Sequence, residues 1–254
     1  MTLVWKSGWD GLTESEAIDY VAAVEAADGQ ELEFGVAKAI NDFVLGCKQD
    51  DIWNAIKASC ILAGARTLDG ALVPLTGGAP TNFNFVGADY DRETGLKGNG
   101  STKHLDSNRA NNADPQDDKH LSVYQTSLAT SNSILIGTQN VTGRSALISF
   151  VAGGISVRIN SNVETSKIGN SVGFVGGVRS SSSTSTGRVN GTNFLQSIAS
   201  QSPATLDIGV FAEASGIAKT DARLSFYSIG ESLDLAKLDT RVSNLMTAIG
   251  AAIP

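Results

Sequence analysis

The chain has 254 residues, of which 41% are hydrophobic and 18% charged, with 27 glycines and a formal net charge of −7. That apolar fraction supports a real core and excludes a disordered acidic segment, while glycine with abundant Ser, Thr and Asn fits a turn-rich β protein better than a helical bundle. The acidic balance, with no Lys/Arg stripe, argues against a nucleic-acid partner, and no run approaches the roughly 18 apolar residues of a membrane span, so no membrane insertion is expected.

The opening "MTLVWKSGWDGLTESE" lacks the apolar run and small-residue cleavage site of a secretory leader, so synthesis and retention in a cytoplasm are expected. Thr13 followed by Glu16 has the spacing of a capping box, and Ile18, Val21 and Ala22 then share a face up to a stop at Gly29. A second helix is predicted from Glu31, on the recurrence of Leu32, Val36, Ile40 and Phe43, with Gly46 at its end. Asp50 and Asp51 suit the start of a third helix carrying Ile52, Trp53, Ile56 and Cys60. Cys47 and Cys60 lie among apolar residues, which predicts buried free thiols.

After Gly64 the pattern changes to short alternating segments between Gly, Pro and Asn. "TNFNFVG" places Phe83 and Phe85 on one face, and "SILIGTQ", "ALISFVAG", "ISVRIN", "VGFVGGVR", "GRVNG", "LDIGVFAE" and "RLSFYSIG" each read as a strand. Their spacing of about 8 to 15 residues predicts a meander folded as an antiparallel sandwich or jelly roll. Between Arg179 and Arg188 there is no apolar residue, which predicts an exposed hairpin tip. The chain closes on a helix in which Leu235, Leu238, Val242, Leu245 and Ile249 form one stripe. The predicted division is an N-terminal arm over 1–12, a helical region over 13–66, a β-sandwich over 67–230, and a C-terminal helix over 231–254 that packs on the sandwich or the helical region.

Residues 96–124, "LKGNGSTKHLDSNRANNADPQDDKHLSVY", are so rich in Asn, Asp, Gly and Ser that no element pattern survives across their middle. Long loops of this kind are commonly functional. Asp106, Asn108, Asn111, Asn112, Asp114, Asp117 and Asp118 offer hard oxygen ligands of the kind calcium takes, without the spacing of an EF-hand loop. Two other readings are self-bonding through Asx-turns, which holds a long connection in one conformation, and recognition of a partner or glycan. No cofactor is expected, with calcium the one metal these residues allow. His104 and His120, the only histidines, stand at no metal-ligand spacing from the cysteines, and no G-x-S-x-G marks a nucleophile. "GNGST" lacks the order of a phosphate loop, and paired strand carboxylates of a glycosidase are missing, so the chain is not expected to be an enzyme.

"YDRETGLKGNGSTK" at 90–103, "NRANNADPQ" at 108–116 and "FYSIGE" at 226–231, within a match extending over most of 30–250, resemble a family of bacteriophage and prophage virion proteins. In that family a concanavalin A-like, or laminin-G-like, β-sandwich follows a short helical segment. The resemblance implies a mainly β, concanavalin A-like jelly-roll sandwich with a small N-terminal helical region and a C-terminal helix. It also implies a non-enzymatic tail, tail-fibre or particle-surface component of the virion, assembled in the host cytoplasm with other virion proteins. The alternative is a carbohydrate-binding lectin module that binds a host-surface glycan. Trp5 and Trp9 suit stacking on a sugar or, better, docking of the N-terminal arm on another virion protein. Asp106, Asn108, Asn111, Asn112, Asp114, Arg179 and Arg188 are the candidate ligand-facing loop residues. The helical stripes at both ends predict a homo-oligomer, because two apolar sets need partners.

Overall fold

A computed structural model describes residues 11–163 and 167–254; Trp5 and Trp9 lie outside the described residues. In chain order the elements are α1 (Ser15–Asp28), α2 (Phe34–Gln49), β1 (Ile56–Ile61), α3 (Leu68–Ala71), β2 (Thr81–Phe83), β3 (Tyr90–Asp91), β4 (Gly95–Lys97), β5 (His104–Ala110) and β6 (Lys119–Ser127). They continue with β7 (Ser133–Gly137), β8 (Ala146–Phe150), β9 (Gly154–Arg158), β10 (Lys167–Ile168), β11 (Gly173–Arg179), β12 (Ser185–Val189), β13 (Thr192–Gln196), β14 (Asp207–Val210), β15 (Arg223–Gly230) and α4 (Leu235–Ala252).

The strands form two stacked sheets. One runs β13-β12-β11-β6-β15-β4-β3, with β1 also paired to β15; the other runs β10-β9-β8-β7-β14-β5-β2. Between them Leu121, Val123, Val175 and Tyr227 of the first sheet meet Leu105, Leu135, Leu147, Val157 and Ile208 of the second in one buried cluster. At roughly 1.5–3 kcal/mol for each large apolar side chain taken out of water, this layer is the main stabilising term of the sandwich. The mainly β sandwich, with helices before and after it, is the architecture expected from the sequence.

The first sheet is covered on its other face. Phe174 and Phe226 point out of it into a second cluster with Val36, Ile40, Phe43, Leu238, Val242, Leu245 and Ile249. Phe43 meets Phe226 edge-on at 5.8 Å. The stripe of α4 is therefore buried in its own chain against α2 and β11, and the two apolar sets that motivated oligomerisation through the helices partner each other. Asp234 caps α4, its Oδ1 accepting from the backbone N–H of Ala236 at 2.8 Å and Lys237 at 3.2 Å.

Several local expectations are corrected. Helix α1 ends at Gly29, whose φ of 68° suits a residue without a Cβ, but its start is not a Thr13 capping box. The N–H groups of Thr13 and Glu14 both donate to Oδ1 of the buried Asn41 on α2, at 2.7 and 2.9 Å, so the cap comes from the neighbouring helix. Gly46 lies within α2 rather than after it, where a Cβ would strike the Arg241 side chain. The predicted third helix is a 3-10 turn (Trp53–Ala55) followed by strand β1, so the sheet begins inside the region read as helical. β1 is buried on both faces, with Ile56 and Ile61 under the helices and Ala58 and Cys60 toward the second sheet. An apolar run buried on both sides matches a helical template as well as a strand. Phe83 and Phe85 do not share a face: Asn84 adopts a φ of 68° between them, leaving Phe83 exposed and Phe85 buried.

Candidate functional site

The polar stretch 96–124 is not one loop, since it holds β5, a 3-10 turn (Asn111–Ala113) and the start of β6. Its acids and amides bond mostly to their own surroundings. Asn99 Oδ1 accepts from the N–H of Ser101, Thr102 and Lys103, and Asp106 Oδ1 from that of Asn108 at 2.8 Å. These are the self-bonded turns that hold a long polar connection in one conformation.

Three of the candidate ligand-facing residues are interior. Asn111 is fully buried, its Nδ2 donating to Gly143 O and Asn160 Oδ1, both at 3.0 Å. Asp114, also buried, pairs with Arg109 and with the fully buried Lys119 at 2.9 Å. Burial alone raises the Asp114 carboxyl, but the hydrogen bonds and charges of Arg109 and Lys119 outweigh it and hold the group below its usual range. Arg179 is not at a hairpin tip. It is fully buried, with Nε donating to Ile159 O at 2.7 Å and Nη1 to the carbonyls of Ser181, Thr184 and Ile198. Arg188 is half-buried, its Nε bound to Asp239 Oδ2 on α4 at 2.8 Å. Asn112 remains exposed on the 3-10 turn. A local excess of Asp, Asn and Arg looks alike from sequence whether it faces water or fills a satisfied interior.

Asp106 and Asn108 do face outward, on the second sheet, whose outer side carries no helical layer among the described residues. Register places Phe83 opposite His104 and Thr81 opposite Asp106, with Gly209 on the far side of Asp106. The Phe83 ring, 40% exposed, lies flat on the His104 imidazole with centroids 4.4 Å apart and planes 3° from parallel. Asn108 Nδ2 donates to Ala79 O and to Thr81 Oγ1, fixing the β2 end of this corner.

The connection from β14 to β15 forms the wall. A Cβ on Gly209 would lie 2.4 Å from Ala214 N, so that connection rests directly on the sheet, and only glycine admits so close an approach. It is tied down by the Ile134 N–H to Ala218 O at 2.8 Å and by the buried Arg144–Glu213 pair at 3.2 Å. Gly216 abuts the His104 ring, and Lys219 Nζ donates to Gly216 O.

Burial and neighbouring charge shift both titratable groups of this corner. Burial lowers the His104 pKa, and the nearby Lys219 charge lowers it further. Burial raises the Asp106 pKa, and the Asp207 carboxylate adds to the rise. The corner therefore combines an exposed aromatic face, a neutral imidazole beneath it, and the Asp106 carboxylate two residues along the strand. It suits a ligand with an apolar face and a hydroxyl-bearing edge. Among the described residues no cluster of three or more His, Cys, Asp or Glu is placed to hold a metal ion. Composition pointed to Asp106 and Asn108; Phe83 and His104 carried no signal, because strand pairing alone brings them together.

No protein-family model matches the chain, and no curated protein matches it in sequence. Among solved structures it is similar to the botulinum neurotoxin serotype D binding domain, with a TM-score of 0.51 and 12% identity over 75% of this chain and 52% of that one. The NanB sialidase from Streptococcus pneumoniae gives 0.42 and 13% over 57% of this chain and 26% of that one. Domain 4 of AbnA, a GH43 extracellular arabinanase from Geobacillus stearothermophilus in complex with arabinotriose, gives 0.40 and 10% over 67% and 82%. The chain thus spans between about a quarter and a half of the first two of these structures. At such identities the likeness is one of fold, a β-sandwich.

Proposed function

We propose that the chain is a non-catalytic, lectin-like recognition module whose glycan-binding surface is the Phe83–His104–Asp106 corner of the open sheet. The observation that carries this reading is the Phe83 ring, exposed on one face and held flat by His104 on the other. A sugar's C–H face stacks on such a ring without reorganising it, while Asp106 and Asp207 accept from hydroxyl groups at the rim. The runs at 90–103, 108–116 and 226–231 support placing the module on a bacteriophage or prophage particle, as a tail, tail-fibre or surface component. There the helical side faces the particle and the open sheet faces the host. In a purely structural virion role, the same fold attaches to the particle with no affinity for sugar.

A glycan array probed with the whole chain separates the two roles. Binding to a defined set of glycans that Phe83→Ala abolishes, with the melting temperature unchanged, is expected. An array without signal, or binding indifferent to Phe83→Ala, overturns the assignment of this corner. Incubation with host polysaccharide is expected to release no new reducing ends.

A further inference from the structure

The sheet edges are not equally protected. β3 has two residues, one of them Asp91; β10 has two, one of them Lys167; β2 has three, preceded by Pro80 and ended by the left-handed Asn84. Short length, charge and proline are the usual means by which a protein prevents an edge from pairing with another chain. β13 has none of them. It has five residues, Thr192–Gln196, uncharged and without proline, paired to β12 in unbroken register from Val189↔Thr192 to Ser185↔Gln196. Among the described residues no strand pairs with its outer edge. Leu195 is 68% exposed beside it, the most exposed large apolar side chain among the described residues.

We infer that β13 is a self-association edge, at which two copies of this chain pair antiparallel about a two-fold axis and join their first sheets into one. The absence of charge along this edge admits a second copy as the occupant. The chain carries −7 overall, so like copies repel across most of their surfaces. Between Ser180 and Leu206 the single charged side chain is Arg188, and Asp239 neutralises it. At this edge two acidic copies can approach without like charges facing each other. An antiparallel strand is its own complement on a two-fold axis, and the contact is isologous and closed. With one short strand from each side the area is small, which makes the dimer a weak one.

Sedimentation velocity over a concentration series of the whole chain, with Leu195→Lys alongside, tests this. The unmodified protein is expected to shift from monomer to dimer as concentration rises. Leu195→Lys, whose side chain is solvent-exposed and whose circular dichroism should be unchanged, is expected to remain monomeric throughout. Hydrogen exchange on the unmodified protein supplies a readout that needs no variant: amides in 192–196 should exchange more slowly at high than at low protein concentration. A protein that stays monomeric, a dimer that persists in Leu195→Lys, or concentration-independent exchange at 192–196 overturns the inference.

Discussion

His120 couples stability to mild acid. It is fully buried on β6, paired with Gly230 of β15, with Nδ1 at 2.6 Å from Glu231 O and Nε2 at 2.9 Å from Ser228 Oγ. A carbonyl only accepts, so Nδ1 carries the proton and Nε2 accepts from the Ser228 hydroxyl; the ring is neutral in the folded protein. Burial pushes its pKa down from 6.5 to about 4, against the pull of the Glu231 carbonyl. In the unfolded chain the ring takes up a proton near 6.5, whereas in the folded chain it does not until about 4. Stability is therefore complete above 6.5 and declines as pH falls between those values, by about 2 kcal/mol by pH 5 and about 3 kcal/mol in full. Urea denaturation at pH 7 and pH 5 of the unmodified protein and of His120→Asn measures this. The variant is expected to be weaker at pH 7 but to lose roughly 2 kcal/mol less on acidification, since His104 and the carboxylates are common to both. Equal losses in the two proteins, or an NMR titration of the His120 ring near 6.5, would refute the reasoning.

Asp114→Ala strands the buried Lys119 charge and should lower stability by about 3–5 kcal/mol, whereas Asp114→Leu with Lys119→Met should recover much of that loss, measured by urea denaturation. Burial pushes both thiols, Cys47 and Cys60, up to about 12, so a thiol reagent at neutral pH should label them only after denaturation. Leu238→Asp puts a carboxylate where the side chain is fully buried between α4 and the rest of its own chain. It should unfold the protein by several kcal/mol rather than release a folded monomer, as followed by circular dichroism and light scattering.

Some of this architecture is legible in the sequence and some is not, for reasons that differ by element. The stripes of α2 and α4 announce themselves because large apolar residues recur at helical spacing while polar residues keep one side of each helix exposed. "ALISF", "GFVGGVR" and "RLSFYSIG" are legible as strands because short, β-branched or aromatic runs between turn residues have few other uses. β6 is silent although it is central: Lys119, His120, Ser122 and Gln125 are fully buried polar residues within "KHLSVYQTS". Lys119, His120 and Ser122 meet partners on other segments that no local pattern reveals. Arg179 misleads for the same reason, since the carbonyls of Ile159 and Ile198, on two distant segments, converge on it with two from the following turn. At the candidate site Asp106 and Asn108 stand out by composition, whereas the Phe83–His104 stack exists only because β2 pairs with β5.

The two proposed surfaces lie at opposite ends of the sandwich. β12 contacts β9, so β13 and β10 lie at the same end of the sandwich, while β2 and β5 close the opposite end of the second sheet. Pairing through β13 therefore leaves both Phe83 corners open at the far ends of the dimer. Two sites on one rigid unit convert the second binding event on a glycan-coated surface into an intramolecular one, so apparent affinity for a surface exceeds that for a soluble sugar without any new contact. Leu195→Lys should weaken retention on a dense immobilised glycan about as much as dilution below the dimer range does, and leave the affinity for the same sugar free in solution unchanged. Phe83→Ala should abolish both. Surface plasmon resonance on the immobilised glycan, with calorimetry for the free sugar, separates the two. A Leu195→Lys protein that loses affinity for the free sugar would show that the edge and the corner are not independent, and the bivalent account would fail.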